Sequence, residues 1–349
     1  MLSRSQSKFQ QDLLKWYGKN ARDLPWRRTK DPYKIWVSEI MLQQTQVDTV
    51  IPYYLKWLER FPTLKSLTTA PLDDAMKLWA GLGYYRRVRM LHEGAQYVLE
   101  ELGGKIPADP EELGKLPGVG RYTAGAIASI AFDKRAPILD GNVIRVLTRL
   151  CAVKSDVSST RTVAKLWQLA EELLPKKQTG DFNQALMELG AMVCAPDNPS
   201  CLFCPVSRYC AAYKAGQQSR YPVKAQKEQI EKKQTFALIL RKEGKVLIQQ
   251  QPEKARWGGL WMFPYYERRS SMLKAHGLQA NALKRRMQVT HAFTKYRVTL
   301  DVYEAEAPAR EAQEICEKSH KWVPLGNLKK HAFPSPHQKI VKDLEKHHG

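Results

Sequence analysis

Along the first two thirds of the chain, apolar residues return every three or four positions, the spacing of a helix with one buried face. Val47, Val50, Tyr54, Trp57, Leu58 and Phe61 line up in this way, and Thr45 followed three positions later by Asp48 predicts a capping-box start for their helix. A shorter helix through Trp36, Val37 and Ile40 must break near Gln43 and Gln44. Further helices are written by Tyr85, Val88, Leu91, Val98 and Leu102, and by Val143, Val146, Leu147 and Leu150. From Lys214 to Lys233 the pattern stops. That stretch holds six basic and two acidic residues with almost nothing to bury, which predicts an exposed linker. Beyond it the period becomes two. TFALILRKEGKVLIQQQ predicts a hairpin turning at Lys242, Glu243 and Gly244, and RVTLDVYEAEA a half-buried strand. Ile340, Val341 and Leu344 predict a final amphipathic helix after Pro336. The expected architecture is multidomain: an all-α part over residues 1–213, a basic linker over 214–233, and an α+β domain over 234–349.

A length of 349 residues allows two or three domains, each with its own core and no need of disulfides. The formal charge of +21 changes the picture more, because so positive a field favours polyanions, with nucleic acid ahead of membrane surface. No apolar run reaches the roughly 20 residues of a spanning helix. The polar start MLSRSQSKFQQ lacks the apolar core of a secretion signal, so the expected compartment is cytoplasmic.

Three constellations carry candidate chemistry. In LPGVGRYTAGAI, Gly118 and Gly120 flank one apolar residue in a tight hairpin, and the helix that follows aims unpaired N–H groups at whatever lies in front of it. This suits a phosphate, although a plain helix-to-helix turn has the same pattern. Asp140, in ILDGNVIRVL, stands where a helix begins, and its free amides and dipole favour the ionised carboxyl. Such an aspartate is commonly only a cap. Glu39, in KIWVSEIMLQQTQ, is set among apolar residues that would desolvate it and let it hold a proton near neutrality; a surface glutamate is the plainer reading. One protonated and one charged carboxyl are the pair that breaks a glycosidic bond. Finally, Cys194, Cys201, Cys204 and Cys210 are separated by six, two and five residues and can fold four thiolates around one centre, with metal identity, zinc included, left open by spacing alone. Cys151 and Cys316 read as small buried hydrophobes.

The hairpin LPGVG, an aspartate twenty residues beyond its last glycine, and the cysteine run together resemble the helix-hairpin-helix DNA glycosylase superfamily, in the branch that holds a [4Fe–4S] cluster. The resemblance implies a six-helix barrel over about 23–133 with the hairpin at 116–120. It also implies a cluster domain built from the N-terminal helix and about 134–213. Relatives similar to endonuclease III carry a lysine nucleophile where this chain has Tyr122, so no Schiff base is expected and the chemistry should stop at base removal.

The segments DLPWRRTKDPYKIWVSEIMLQQTQV and WAGLGYYRRVRMLH, with GGLWMFP later, resemble the MutY type of adenine glycosylase, which removes adenine opposite 8-oxoguanine or guanine in double-stranded DNA. By that resemblance Glu39 protonates the adenine at N7, Asp140 stabilises the sugar cation, and Tyr122 and Asn142 support that aspartate. Arg22, Trp26, Arg27 and Gln184 line the adenine pocket, while Gln44, Leu82 and Tyr84 enter beside the lesion. A monomer is expected, associated with the nucleoid in a bacterium.

The C-terminal part resembles a Nudix domain, yet between Gly259 and Thr290 there is no glutamate-rich helix to bind metal, so recognition rather than hydrolysis is expected. The family's Phe-Ser-His lesion loop corresponds to Phe293, Thr294 and Lys295, where a point charge replaces an imidazole. Ala195 to Ser200 contains no Lys or Arg, which weakens the expected grip of the first cysteine loop on phosphate. Three rival readings are a bifunctional glycosylase/lyase, a non-catalytic DNA-binding protein and a nucleotide pyrophosphatase. Tyr122, the coexistence of Glu39 with Asp140, and the missing acidic helix speak against them in turn.

Overall fold

Alternation between helical and strand periodicity reappears in a computed structural model, which describes residues 3–224, 230–253, 255–293, 295–308 and 319–346. The α-helices up to residue 192 are α1 (Ser3–Asn20), α2 (Pro32–Leu42), α3 (Val47–Arg60), α4 (Leu64–Thr68), α5 (Leu72–Leu78), α6 (Arg86–Glu101), α7 (Pro110–Leu113), α8 (Arg121–Phe132), α9 (Gly141–Leu150), α10 (Thr160–Leu173) and α11 (Thr179–Met192). Contacts divide the chain into one unit of Met1–Ala70 with Met90–Lys227 and another of Pro71–Arg89 with Glu228–Gly349. Pro71–Arg89, expected within the helical barrel, is thus grouped with the C-terminal residues.

In the first unit α11 packs against α1, α8 and α9, and α2 packs against α3 and α8. The small side chains of α8, from Thr123 to Ile130, are all buried, which lets neighbouring helices come close. α2 begins where the Asp31 side chain accepts from the Tyr33 amide and ends at Leu42, with Gln44 in the left-handed region at φ 55, so the break expected near Gln43 and Gln44 is present. The capping box expected at Thr45 is not. Gln46 caps α3 without a side-chain bond, because the left-handed turn at Gln44 sends the Thr45 hydroxyl back to the Gln43 carbonyl.

The linker expectation also needs correction. Tyr221 is buried, its carbonyl and that of Gln218 accept from Arg149 Nε, and the Val223 carbonyl accepts from the Val157 amide. Residues up to 223 are therefore tied into the first unit; residues 225–229 lie outside the described set.

The second unit holds β1 (Glu231–Lys242), β2 (Lys245–Gln250), β3 (Trp261–Met262), β4 (Tyr265–Tyr266), β5 (Lys284–Phe293), β6 (Tyr296–Glu306) and β7 (His320–Pro324), in the order β3-β2-β1-β6-β5 with β4 on β1 and β7 on β2. Glu243 and Gly244, at φ 49 and 72, make the two-residue turn between β1 and β2. β1 pairs with β6 in parallel, from Glu231 against Tyr296 to Arg241 against Glu306. Its two faces are both covered: Ala237 and Ile239 pack with Ile340, Val341 and Leu344 of the C-terminal helix Ser335–Lys346, and Leu238 and Leu240 pack with Met272. Each Leu, Ile, Val or Met side chain among these contributes about 1.5–3 kcal/mol on burial. The helix Arg269–Ala275, RSSMLKA, carries no acidic residue.

Candidate active site

A cavity of about 530 Å3 in the first unit is lined by α2, the starts of α8 and α9, α11 and the turn Pro25–Arg28. Glu39 and Asp140, 101 positions apart in the sequence, both line it. Glu39 stands on α2 among buried Ile35, Trp36, Val37, Ile40 and Met41 and is only 4% exposed. Burial pushes its carboxyl up to about 7; the Tyr122 hydroxyl, donating to Oε2 at 2.7 Å, opposes that rise, and the nearby Asp140 adds to it. A carboxyl in this condition can hold a proton near neutral pH and give it up.

Asp140 is the N-cap of α9. The Val143 amide donates to its Oδ1 at 2.7 Å, and Asn142 Nδ2 donates to its Oδ2 at 3.1 Å. Both bonds favour the carboxylate, as the position at a helix start suggested, yet burial outweighs them and the carboxyl is raised above its ordinary range. The support expected from Asn142 is in place. Tyr122 departs from expectation, since its hydroxyl bonds Glu39 instead of Asp140.

Two further residues of the site escaped the reading of the sequence. Arg145 donates through Nη2 to Asn142 Oδ1 at 2.7 Å and to the Gly190 carbonyl at 2.8 Å, and through Nε to the Cys194 carbonyl at 2.7 Å. A Cβ on Gly190 would stand 2.6 Å from the Asn142 Cβ, so only glycine permits α11 to approach α9 here. Glu188, wholly buried on α11, accepts from Arg22 Nη2 at 2.7 Å and Arg27 Nη2 at 2.8 Å. Against the upward pull of burial, the hydrogen bonds from Arg22 and then Arg27 bring its carboxyl down to about 2. The signal that singled out Glu39, a carboxylate inside an apolar helical run, is equally present in ALMELGAMV.

Arg22, Trp26, Arg27, Gln44 and Gln184 all line the same cavity. Trp26 is held edge-on to Tyr54 at 5.4 Å between ring centres. No lysine is among the described residues that line it. In the hairpin, Gly118 has φ 75, and a Cβ there would lie 2.7 Å from the Met90 Cβ. Gly120 caps α8 in ordinary extended backbone, leaving its exposed start open to an anion.

The residues expected beside the lesion other than Gln44 belong to the second unit. Gly81 and Gly83, at φ 114 and 73, form a loop with Tyr84, which is 52% exposed at φ 47. Leu82 is only 7% exposed, so of the expected pair only Tyr84 is exposed, with the Arg87 guanidinium over its ring at 5.8 Å. Phe293 ends β5, half-buried, at 5.2 Å from the Tyr296 ring; Thr294 and Cys316 lie outside the described residues. Cys151, expected to be buried, is exposed at the end of α9.

Cys194, Cys201, Cys204 and Cys210 line one small cavity of about 30 Å3 together with Arg149. Burial pushes the Cys204 thiol up to about 12, helped by the three other cysteines. Arg149 Nη1 reaches Cys194 Sγ at 3.4 Å and the Ala195 carbonyl at 2.7 Å. Among the described residues no group of three or more His, Cys, Asp or Glu is arranged to hold a metal ion. No helix of the described residues is long and apolar enough to cross a membrane.

Comparison with known proteins agrees with this layout. Residues 37–172 match the family described as HhH-GPD superfamily base excision DNA repair protein, and residues 235–343 match the NUDIX domain. The adenine DNA glycosylase of Rattus norvegicus is 36% identical over 97% of this chain and 78% of its own length. That of Buchnera aphidicola subsp. Schizaphis graminum is 36% identical over 96% of this chain and 98% of its own length. A solved thermostable thymine-DNA glycosylase superposes with a TM-score of 0.56 at 32% identity, covering 61% of this chain and 98% of its own.

Proposed function

The chain belongs to the adenine DNA glycosylases of the helix-hairpin-helix base-excision repair superfamily, and from that premise we propose that it excises adenine mispaired with 8-oxoguanine or guanine in duplex DNA by hydrolysis alone. One observation carries the proposal: a glutamate that holds its proton near neutrality and a helix-capping aspartate line one cavity. The flipped adenine enters between Trp26, Arg27 and Gln184, at an unstacking cost of a few kcal/mol that is least for a mispair. Glu39 gives its proton to N7, the C1′–N9 electron pair leaves with the base, Asp140 faces the positive charge that develops on the sugar, and water then bonds to C1′ and releases a proton to give the abasic sugar. Burial raises Asp140, while the hydrogen bonds from Val143 and Asn142 favour the anion that faces that cation. Tyr122 holds the Glu39 carboxyl in position, and Arg145 holds Asn142 against Asp140. Glu188 locks Arg22 and Arg27 into the pocket wall.

Under this reading Cys194, Cys201, Cys204 and Cys210, four thiols lining one cavity beside the Arg149 cation, would hold a [4Fe–4S] cluster. When bound, the cluster would supply cross-links that fix the 194–210 loop, whose Cys194 carbonyl anchors Arg145. The Nudix-like domain reads the opposite base through Phe293 and Thr294, with Tyr84 of the 71–89 segment entering beside it, and the protein works as a monomer in the cytoplasm, on the nucleoid if bacterial. Single-turnover excision from duplexes with A opposite 8-oxoguanine, G, C or T tests this. The first two should be cleaved faster than the others, and equal rates on all four would overturn the mispair assignment.

A further inference from the structure

The β5–β6 turn carries Lys295 where an imidazole was expected, which raises the question of which group there can read a base. Lys295 is already engaged: its Nζ pairs with Glu231 at 2.6 Å, and its carbonyl accepts from the Glu231 amide at 2.8 Å. Arg256 is placed differently. Its guanidinium lies over the Trp257 ring at 4.7 Å and against the face of Phe293, and it makes no hydrogen bond or ion pair with the described residues. Tyr84, exposed and left-handed, is close enough to interact with it electrostatically, as is Tyr265, and no carboxylate does so. Partial burial lowers the guanidinium to about 10, so it stays charged at neutral pH while giving up part of its water. A planar cation lying over two aromatic rings on an exposed residue, near an exposed tyrosine, is arranged to meet a flat acceptor.

We propose that Arg256, and not Lys295, is the specificity-determining cation for the base opposite the excised adenine, donating to the C8 carbonyl oxygen that 8-oxoguanine has and guanine lacks. This rests on the reading of the Nudix-like domain as the reader of that base. A fork of N–H groups held flat can address a carbonyl edge with direction, whereas an ammonium tied to Glu231 acts as a diffuse charge. The same donors could instead meet a backbone phosphate, which would give affinity without preference.

The test uses the full chain with its cofactor, comparing single-turnover excision on A:8-oxoguanine and A:G duplexes for the native protein, Arg256→Ala, Arg256→Lys and Lys295→Ala. Rates are normalised to burst amplitude, so that misfolded protein is not counted. Arg256→Ala should lower the preference for 8-oxoguanine about tenfold, mostly through the A:8-oxoguanine rate. Arg256→Lys should restore little of it, and Lys295→Ala should leave it unchanged. An unaltered preference in Arg256→Ala, an equal loss on both duplexes, or a collapse in Lys295→Ala would each overturn the proposal while leaving the domain's role intact. Native protein with no preference would instead remove the reading on which the proposal rests, and the proposal with it.

Discussion

The Tyr122 hydroxyl donates to Glu39 Oε2 at 2.7 Å across 83 positions of sequence, and this bond limits how firmly the buried acid keeps its proton. Burial raises Glu39 to about 7 and the tyrosine bond works against that rise. The single-turnover rate should therefore be level below about pH 7 and fall toward tenfold per unit above it. Tyr122→Phe removes the opposing bond, so its alkaline limb should move to higher pH. A limb that stays in place or moves to lower pH would show that the hydroxyl does not hold the charged form.

The same carboxyl has a consequence for stability. Glu39 binds its proton more tightly folded, at about 7, than at its ordinary value of 4.5, so the folded state holds more protons between those values and stability declines as pH rises through them. Glutamine has no such penalty. At pH 8 Glu39→Gln should be more stable than the native chain by up to about 3 kcal/mol and unfold at a higher temperature. At pH 4 the difference should vanish, which thermal unfolding at both pH values checks.

At Asp140 the cap and the chemistry can be separated. Asparagine caps a helix about as well as aspartate, so Asp140→Asn should unfold within about 1 kcal/mol of the native chain. It carries no anion to face the sugar, and excision should fall at least about a hundredfold. A rate near the native one in a folded variant would leave Asp140 as a cap alone.

Base removal should end the reaction. With Tyr122 at the hairpin and no lysine among the described residues lining the cavity, borohydride should trap no covalent adduct on A:8-oxoguanine duplex. Efficient trapping would restore the lyase reading.

The cysteine set is checked by composition. Purified protein should contain iron and acid-labile sulfide, and Cys204→Ser should lower both together with stability. Zinc without sulfide would contradict the cluster.

Much of this was legible in the sequence, for reasons that also mark where legibility stops. Asp140 could be found because a helix start has a local signature, and Glu39 because its neighbours are apolar. Glu188 has the same signature, but its role depends on Arg22 and Arg27, 166 and 161 positions away in sequence, which no local pattern joins to it. Arg145 is similar: its spacing to Asn142 is local, yet the Gly190 and Cys194 carbonyls that fix it are set by packing. The β1–β2 hairpin follows from its turn residues, whereas the parallel partner β6 does not, because alternation specifies a face and not a neighbour. Leu82 and Tyr221 were misjudged for one reason, since loop chemistry says nothing about which apolar side chain the fold covers.

The central claim is that the Glu39 proton drives departure of the base. Its most direct test is adenine release from an A:8-oxoguanine duplex by Glu39→Gln under single turnover, with the dissociation constant for the same duplex measured alongside. Unchanged binding with release slowed at least about a hundredfold is predicted. Release at close to the native rate, by a variant that still binds the duplex, would contradict it.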